Sequence, residues 1–337
     1  MSSLVIQTSF LGDMVLTTAL MAELAARGPV DVVATPVSAG LLANNPYVRH
    51  VLLYDKRGSA SGIRGFRRVA EELRATEAEA AFLAQGSIRS AALALAAGIR
   101  ERVGFSTSAG RPLYTRVVPF RKDLHHAARL WQLACPERVP GAEQIRPRLY
   151  PGDAERAAVD ALLRRAGVNP GGPLVALAPG SVWATKRWPG YAELARALAT
   201  DARVVVIGSS DDRPMAAEVV AAAGQGAVDA LGALSLLGSA ELIGRCRALV
   251  TNDSAPQHLA SAVGTPTVTI FGPTVPAFGF GPLAPQSSVV EHPGLACRPC
   301  DKHGPMVCPL QHWRCMRELS SGDVVARVRH LLSSTTN

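Results

Sequence analysis

The chain has 337 residues, of which 48% are hydrophobic and 18% are charged. This length is sufficient for two domains that each bury a core, and the apolar fraction excludes a largely disordered protein. The 30 glycines and 24 prolines follow no period, which excludes a collagen-like fibre. A formal net charge of +8 indicates an anionic partner without saying which one.

The positive charge is concentrated in the first part of the chain. Residues 1–150 contain 19 Lys or Arg against 12 Asp or Glu, whereas residues 151–337 contain 16 against 15. The first part is therefore predicted to face something negative, and an arginine-rich solvated surface is the alternative interpretation.

No stretch reaches the roughly 18 uninterrupted apolar residues of a membrane-spanning helix, and the longest candidate, 91–99, is too short. Residues 1–20 lack a basic beginning and are interrupted by Asp13, which is not typical of a secretory signal. We therefore expect a cytoplasmic protein, whose six cysteines are thiols or metal ligands rather than structural disulfides.

Short apolar strands alternate with helices along the whole chain, which indicates parallel sheets covered on both faces. The predicted fold class is α/β, with two doubly wound Rossmann-like domains facing a central cleft, and ligands beyond the carboxyl ends of the strands. The predicted boundaries are an N-terminal acceptor-binding domain at 1–152, a connection at 153–172, a nucleotide-sugar domain at 173–320, and a C-terminal helix and tail at 321–337. The predicted strands are 4–8, 30–34, 51–54, 80–83, 174–178, 204–207, 248–251 and 267–271, and the predicted helices include 14–26, 66–74, 191–199 and 257–263.

Asp13 follows the first predicted strand and stands at the start of the first helix. A carboxylate there is stabilised by the free amides and the helix dipole, so a helix cap is the simplest interpretation. A general base at the end of a strand, facing the cleft, is the functional alternative.

Two polar turns in the second half follow predicted strands. The turn 179–189 carries Lys186, which could neutralise a phosphate, although a solvated surface lysine fits the same pattern. The turn 252–258 opens a helix whose free amides favour a diphosphate, with Asp253 in reach of sugar hydroxyls and an ordinary cap as the alternative. His258 is as compatible with helix packing as with ligand binding.

The chain contains neither a G-x-x-x-x-G-K-[ST] loop nor a G-x-G-x-x-G turn, which argues against nucleoside triphosphatases and ordinary dehydrogenases. It also contains no Asp-x-Asp pair of the kind that holds a metal ion against a nucleotide diphosphate. Charge stabilisation of a leaving diphosphate would therefore depend on Lys186 and helix amides, with no cofactor required for catalysis.

Four cysteines lie close together near the C-terminus. Four thiolates in a short segment can satisfy a tetrahedral zinc ion, so a structural zinc site is one interpretation, and free thiols or an adventitious disulfide are the others. These residues are Cys297, Cys300, Cys308 and Cys315.

These motifs, taken in order, resemble bacterial lipopolysaccharide heptosyltransferases of glycosyltransferase family 9, most closely the heptosyltransferase II branch. The resemblance covers about residues 3–320, and the ordered set of motifs is more specific than any one of them. Its carriers are Gly12-Asp13-Met14 with Thr17-Thr18, residues 85–90, residues 102–105, residues 185–189, Asn252-Asp253-Ser254 with residues 258–260, residues 271–274, and the cysteine-bearing segment 297–316.

The resemblance implies a GT-B fold and an inverting transfer of L-glycero-D-manno-heptose from ADP-heptose onto the inner-core heptose of Kdo–lipid A. The enzyme would work peripherally on the inner leaflet of the cytoplasmic membrane and bind no nucleic acid. By position, Asp13 is the implied general base, Lys186 contacts the diphosphate, Asp253 contacts the diphosphate-sugar end, and Leu234 lies beside adenine. Pro256 departs from the family pattern and removes one amide proton from the diphosphate site.

The complete expected site has two parts. The expected donor-binding residues are Ser181, Thr185, Lys186, Gly208, Leu234, Asp253, Ser254, Ala255 and His258, and the expected acceptor-binding residues are Gly12, Ser87, Arg89, Arg64, Arg67 and Arg68.

Three other functions remain open at this point. The same chemistry could serve heptosyltransferase I or use another nucleotide sugar, which a panel of donors would separate. A non-catalytic nucleotide-sugar-binding protein is the second alternative, although Asp13, Lys186 and Asp253 are all present. A nucleic-acid-binding protein is the third, and the basic residues lack interleaved aromatics or a recognisable module.

Overall fold

The structure is a computed structural model in which residues 1–169 and 171–334 are described. Pro170 of the expected connection and residues 335–337 of the expected tail lie outside the described residues. The chain divides into two compact units, Met1–Tyr150 and Pro151–Asn337.

The first unit is built on a parallel sheet that has six strands among the described residues, in the order β3-β2-β1-β4-β5-β6. This is the order of a dinucleotide-binding Rossmann sheet, in which the direction of winding reverses between β1 and β4. The strands are β1 Ser3–Ile6, β2 Val30–Ala34, β3 His50–Leu53, β4 Ala80–Leu83, β5 Glu101–Phe105 and β6 Arg116–Val118, and the helices are α1 Leu11–Ala25, α2 Pro36–Ala39, α3 Gly62–Arg74, α4 Ile88–Ala96, α5 His126–Gln132 and α6 Ala142–Ile145.

The second unit repeats this topology in the described residues, with the order β12-β11-β10-β7-β8-β9 and the reversal between β7 and β10. Its strands are β7 Leu174–Ala178, β8 Arg203–Val206, β9 Val228–Asp229, β10 Ala248–Asn252, β11 Thr267–Phe271 and β12 Ser288–Glu291. Its helices are α7 Asp153–Arg165, α8 Tyr191–Leu198, α9 Arg213–Ala222, α10 Leu236–Gly244, α11 Ala255–Val263, α12 Arg314–Arg317 and α13 Ser321–Ser334.

The central strands form because their sequences are apolar without alternation. Every residue of β1, β2, β4, β7 and β11 is buried, as expected for strands whose two faces are both covered by helices. The observed architecture confirms the predicted α/β class with two doubly wound sheets.

The helix α3 shows how a surface helix is oriented in this fold. Gly65, Val69, Ala70 and Leu73 recur at helical spacing and are buried, so the arginines between them point outward. Gly65 allows close packing, because a Cβ atom at this position would lie 2.4 Å from the Ala60 carbonyl carbon.

The C-terminal helix α13 packs on the second sheet through Val324, Val325, Val328 and Leu331, which join the same core as the strands. Among the described residues, none of the helices combines the length and the apolar character needed to cross a membrane.

Candidate functional site

Four of the predicted site residues follow the strands between which each sheet reverses its winding. Asp13 follows β1 and Ser87 follows β4 in the first unit, while Lys186 follows β7 and Asp253 follows β10 in the second. Neighbouring parallel strands end at the same edge of a sheet, so each pair stands beside the crevice where doubly wound sheets bind ligands.

Asp13 lies in the first turn of α1, which begins at Leu11 rather than at Met14 as predicted. The hydroxyl of Ser9 lies 2.5 Å from Asp13 Oδ2, and Ser9 is in turn held by the side chain of Gln7. The free amides at the beginning of α1 add a favourable field for a carboxylate. The side chain of Asp13 is 19% exposed, so it is fixed in place and still open to a ligand.

His126, the first residue of α5, brings its Nε2 atom to 3.7 Å from Asp13 Oδ1. Burial, together with the positive charges of Arg129 and His125, lowers the pKa of His126 to about 3. His126 is therefore neutral near pH 7, and it lies beside the carboxylate of Asp13 without neutralising it. Sequence analysis did not identify His126, because 113 positions separate it from Asp13.

The turn after β4 also belongs to this edge. Ser87 is the half-buried residue before α4. The guanidinium of Arg89 donates to the Tyr54 hydroxyl and lies 5.4 Å from the centroid of the Tyr54 ring. Gln85 Nε2 donates to Thr8 Oγ1, which ties this turn to the end of β1.

The three predicted acceptor arginines of α3 are exposed. Arg68 Nη2 donates to the Ser59 carbonyl, and Arg68 Nε lies 3.8 Å from Glu72. Because α3 follows β3, and β3 lies two strands away from β1, the helix with these arginines starts from a strand roughly 10 Å from the one that Asp13 follows. Gly12 is half-buried and stands directly before Asp13.

In the second unit, Lys186 and Asp253 form a buried ion pair. Lys186 Nζ donates to Asp253 Oδ2 at 2.6 Å and to the Asp253 carbonyl at 3.1 Å, and both side chains are about nine-tenths buried. A buried charge requires a partner, and here each residue is the partner of the other. The structure thus brings together the two residues that were predicted from separate motifs.

Two residues that were not among the predicted site residues complete this pair, although the motif at 271–274 includes Thr274. Thr274 Oγ1 donates to Asp253 Oδ2 at 2.7 Å, and Gln257 Nε2 donates to Asp253 Oδ1 at 3.0 Å. The available signals were weak, because Thr274 stands in the turn after β11 and Gln257 is one polar residue in a helix. The carboxylate of Asp253 is thus held in one orientation.

The other predicted donor residues lie along the same edge of the second sheet. Ser181 is buried and its Oγ accepts from the Trp183 amide, whereas the hydroxyl of Thr185 donates to the Pro305 carbonyl. Gly208 follows β8, and Leu234 is half-buried before α10, so both are displaced from β7 along the sheet.

The helix α11 begins at Ala255, with Ser254 as the residue before it and His258 buried in its fourth position. Pro256 occupies the first turn, where proline is tolerated because the amide has no partner within the helix. Ala255 keeps its amide proton, so the helix start retains a donor for an anion.

The cysteine-bearing segment packs on the loops around Lys186. Arg298 donates to the carbonyls of Thr274 and His292, and also to the carbonyl of Gly272. The amide of Cys300 donates to the Pro273 carbonyl at 2.9 Å. The segment therefore braces the turn that carries Thr274.

The same segment meets the Lys186 loop directly. The ring of Trp183 stacks on that of His303 with centroids 6.0 Å apart. A Cβ atom at Gly304 would lie 3.3 Å from Lys186 Cε, so the backbone of the segment runs against the lysine stem. The tail thus helps to position Lys186.

A zinc site was one interpretation of the four clustered cysteines, and it stays a prediction; Cys297, Cys300 and Cys308 lie near enough to Cys315 to act on it electrostatically. The described residues contain no group of three or more His, Cys, Asp or Glu side chains that could hold a metal ion. Cys300 Sγ lies 3.2 Å from the Cys297 carbonyl, and Cys297 Sγ lies 3.8 Å from His312 Nε2. Burial acts to raise the pKa of Cys308, but backbone N–H groups of residues 310–313 lower it overall.

Comparisons with known proteins identify the family of this chain. The model of glycosyltransferase family 9 (heptosyltransferase) matches residues 66–313. The chain is 28% identical over 324 residues to lipooligosaccharide heptosyltransferase 2 of Haemophilus influenzae, covering 90% of this chain and 93% of that protein. It is 30% identical over 321 residues to lipopolysaccharide heptosyltransferase 1 of Pseudomonas aeruginosa, covering 90% of this chain and 86% of that protein.

Among solved structures, that of the ADP-heptose lipopolysaccharide heptosyltransferase II of E. coli is similar over 100% of both chains. The TM-score is 0.80 and the sequence identity is 26%. With the family model matching residues 66–313, the chain belongs to glycosyltransferase family 9, the heptosyltransferases, and is a glycosyltransferase.

Proposed function

We propose that this protein transfers L-glycero-D-manno-heptose from ADP-heptose onto the inner-core heptose of Kdo–lipid A, in the synthesis of the lipopolysaccharide core. The observation that carries the proposal is the buried Lys186–Asp253 pair, placed at the switch point of a Rossmann-like sheet where a nucleotide diphosphate binds. The likeness to heptosyltransferases 2 supports the choice of donor and acceptor.

In the proposed reaction, Asp13 accepts the proton of the acceptor hydroxyl. The resulting oxygen forms a bond to the anomeric carbon of heptose while the bond from that carbon to the diphosphate oxygen breaks, which inverts the configuration. The hydroxyl of Ser9 holds the carboxylate of Asp13 before the acceptor arrives, and the neutral ring of His126 lies beside it.

The departing ADP carries the negative charge that develops in this step. Lys186 supplies a positive charge, and the start of α11 supplies amide protons and its helix dipole. Asp253 holds Lys186 at a fixed position and, in this proposal, binds hydroxyls of the donor sugar. These protein groups take the place of a metal ion, so transfer is expected to continue in EDTA.

The first unit is proposed to dock peripherally on an anionic lipid surface. Four large apolar side chains are more than half exposed at the starts of the helices that follow the parallel strands β1 to β4, hence at one edge of the sheet. The exposed arginines of α3 lie at the same edge and complement lipid phosphates and Kdo carboxylates. The apolar residues are Phe10, Val37, Ile63 and Ile88, and the arginines are Arg64, Arg67 and Arg68.

Sedimentation with vesicles tests this docking. The chain should bind vesicles that contain an anionic lipid, and replacing Arg64, Arg67 and Arg68 by Gln should weaken binding at least tenfold. Equal binding to neutral and anionic vesicles would contradict the electrostatic part of the proposal.

A transfer assay tests the reaction itself, with ADP-heptose and heptosyl-Kdo–lipid A as substrates and mass spectrometry as the readout. Product from the parent protein in EDTA, and a loss of at least a hundredfold in Asp13→Asn with ADP binding retained, would support the proposal. A folded protein that binds ADP without forming product would contradict the assigned donor or acceptor. Failure to bind ADP would contradict the role of the second unit.

The main competing function is the preceding step, performed by heptosyltransferase I. Its support is the 30% identity to the Pseudomonas aeruginosa enzyme. An acceptor panel separates the two, since Kdo–lipid A without heptose would be glycosylated only in the competing case.

A further inference from the structure

A pocket lies in the first unit, away from the proposed reacting groups. It has a volume of about 210 Å³, and its floor is the face of α1 that carries Ala19 and Ala22. Pockets for drug-sized ligands span roughly 300–1,000 Å³, so this one is of the size for a single small ring.

The pocket faces away from the proposed catalytic carboxylate. Ala22 stands nine positions after Asp13 on the same helix, and at 3.6 residues per turn this is about two and a half turns. The two side chains therefore leave α1 on opposite sides. A ligand in this pocket would not touch Asp13.

Aromatic side chains and balanced charges line the pocket. The rings of Tyr47 and Tyr150 meet edge to face with centroids 6.3 Å apart, and Trp131 adds a third ring. The lining carries two carboxylates, those of Glu23 and Glu143, and two guanidinium groups, those of Arg146 and Arg148. The charges balance, which favours a neutral ligand with both donors and acceptors of hydrogen bonds.

Asn45 provides an unsatisfied polar group at this pocket. Its side chain is 6% exposed, and its Oδ1 accepts from the Tyr47 amide at 3.0 Å, which fixes the orientation of the amide group. Within residues 1–169 and 171–334, no hydrogen-bond partner is found for Asn45 Nδ2. A buried donor without a partner is unfavourable, and a ligand hydroxyl would satisfy it.

We propose that this pocket binds a neutral pyranose ring, with ring hydrogens against Tyr47 and Tyr150 and a hydroxyl accepting from Asn45. Aromatic faces supply apolar contact to the carbon-bound hydrogens of a sugar, while an amide and carboxylates bind its hydroxyls. The first unit would then hold a saccharide independently of the transfer reaction proposed above.

Saturation-transfer NMR with the full chain tests this proposal. The probes are the methyl α-glycosides of glucose, galactose and mannose, each titrated into the parent protein and three variants. Ala22→Phe fills the pocket from its floor, and Asn45→Asp removes the amide donor while keeping an acceptor for Tyr47. Ala25→Phe is the matched control, since Ala25 lies at the end of the same helix outside the pocket lining.

We expect at least one glycoside to bind the parent and Ala25→Phe equally, and to bind Ala22→Phe and Asn45→Asp at least tenfold more weakly. Binding of none of the three glycosides, or equal binding to parent and both pocket variants, would overturn the proposal. Circular dichroism establishes that the variants are folded, and Asn45→Asp decides the question if Ala22→Phe fails to fold. ADP binding, measured separately, tests the proposed function, so that the two proposals can fail independently.

Discussion

Lys186 and Asp253 are 67 positions apart in sequence, and yet Lys186 Nζ lies 2.6 Å from Asp253 Oδ2 inside the second unit. The topology produces this contact, because β7 and β10 are hydrogen-bonded neighbours and each residue follows the carboxyl end of its strand. The pair places one positive charge beside the start of α11, where a diphosphate can be bound.

Lys186→Met is expected to weaken ADP binding at least tenfold and to destabilise the second unit by roughly 3–5 kcal/mol, because it leaves Asp253 as a buried carboxylate without its cation. Calorimetry with ADP and urea unfolding measure the two effects. Lys302→Met, at an exposed lysine of the same unit, is the control and should leave both values unchanged. An unaltered ADP affinity in folded Lys186→Met would refute the assigned role.

Replacing both Lys186 and Asp253 should lower the free energy of unfolding by less than the sum of the losses in the two single variants. The double variant Lys186→Met/Asp253→Asn leaves no unpaired buried charge, whereas each single variant changes one partner of a contact. A double-mutant cycle on unfolding free energies measures the difference. Additive effects would mean that the two side chains do not stabilise each other.

Thr274→Val should reduce ADP affinity several-fold through Asp253, since valine keeps the shape of threonine but cannot donate to Asp253 Oδ2. Loss of a hydrogen bond to a charged group costs about 1.5–3 kcal/mol. Thr200→Val is a suitable control, because the hydroxyl of Thr200 is exposed and donates to the Ala197 carbonyl, away from Asp253. Equal ADP affinity in both variants would show that Thr274 does not position the carboxylate.

Acid should destabilise the protein in part through His126. The pKa of His126 is lowered to about 3 in the folded state from its ordinary value of 6.5, so the unfolded chain binds the extra proton first as the pH falls. Stability is therefore lost below about pH 6.5, by up to about 2 kcal/mol at pH 5, with further loss towards pH 3. His126→Gln should lose less stability between pH 7 and pH 5 than the parent.

Urea unfolding of both proteins at pH 7 and pH 5 measures this difference. His330→Gln is the control, since His330 is exposed on α13. The same loss in His126→Gln as in the parent would mean that His126 does not drive the acid sensitivity.

Thiol reactivity should separate the cysteines by burial. Burial raises the pKa of Cys246 to about 12, and this residue is 6% exposed, whereas Cys297 is half-buried. Iodoacetamide at pH 8 should label Cys297 in the native protein and Cys246 only after denaturation, as read by peptide mass spectrometry. Comparable labelling rates at the two sites in the native protein would contradict this placement.

Much of the fold was predictable, because runs of apolar residues between turns indicate the buried strands. The strands at 30–34, 80–83, 174–178 and 267–271 were predicted with the bounds that the structure has, since continuous apolar runs between turns are typical of buried parallel strands. The edge strands β6 and β9 were not predicted. They have three and two residues, which is too short for any pattern to appear.

The candidate site was predictable residue by residue but not as an arrangement. Asp13, Lys186 and Asp253 each follow a predicted strand, and that position was visible in the sequence. The neighbours that contact them were not, because His126 and Thr274 come from other elements. The cysteine spacing allowed a metal site, which stays a prediction, and only the tertiary structure showed that the same segment braces the loops around Lys186.

The sequence by itself determined the class of the fold, the strand ends that carry polar residues, and the family. Only the tertiary structure decided which of those residues meet, that Lys186 pairs with Asp253, and that His126 is buried beside Asp13. The reason is physical: apolar periodicity acts over a few neighbouring residues, whereas a pair contact depends on strand order and helix packing across the whole unit.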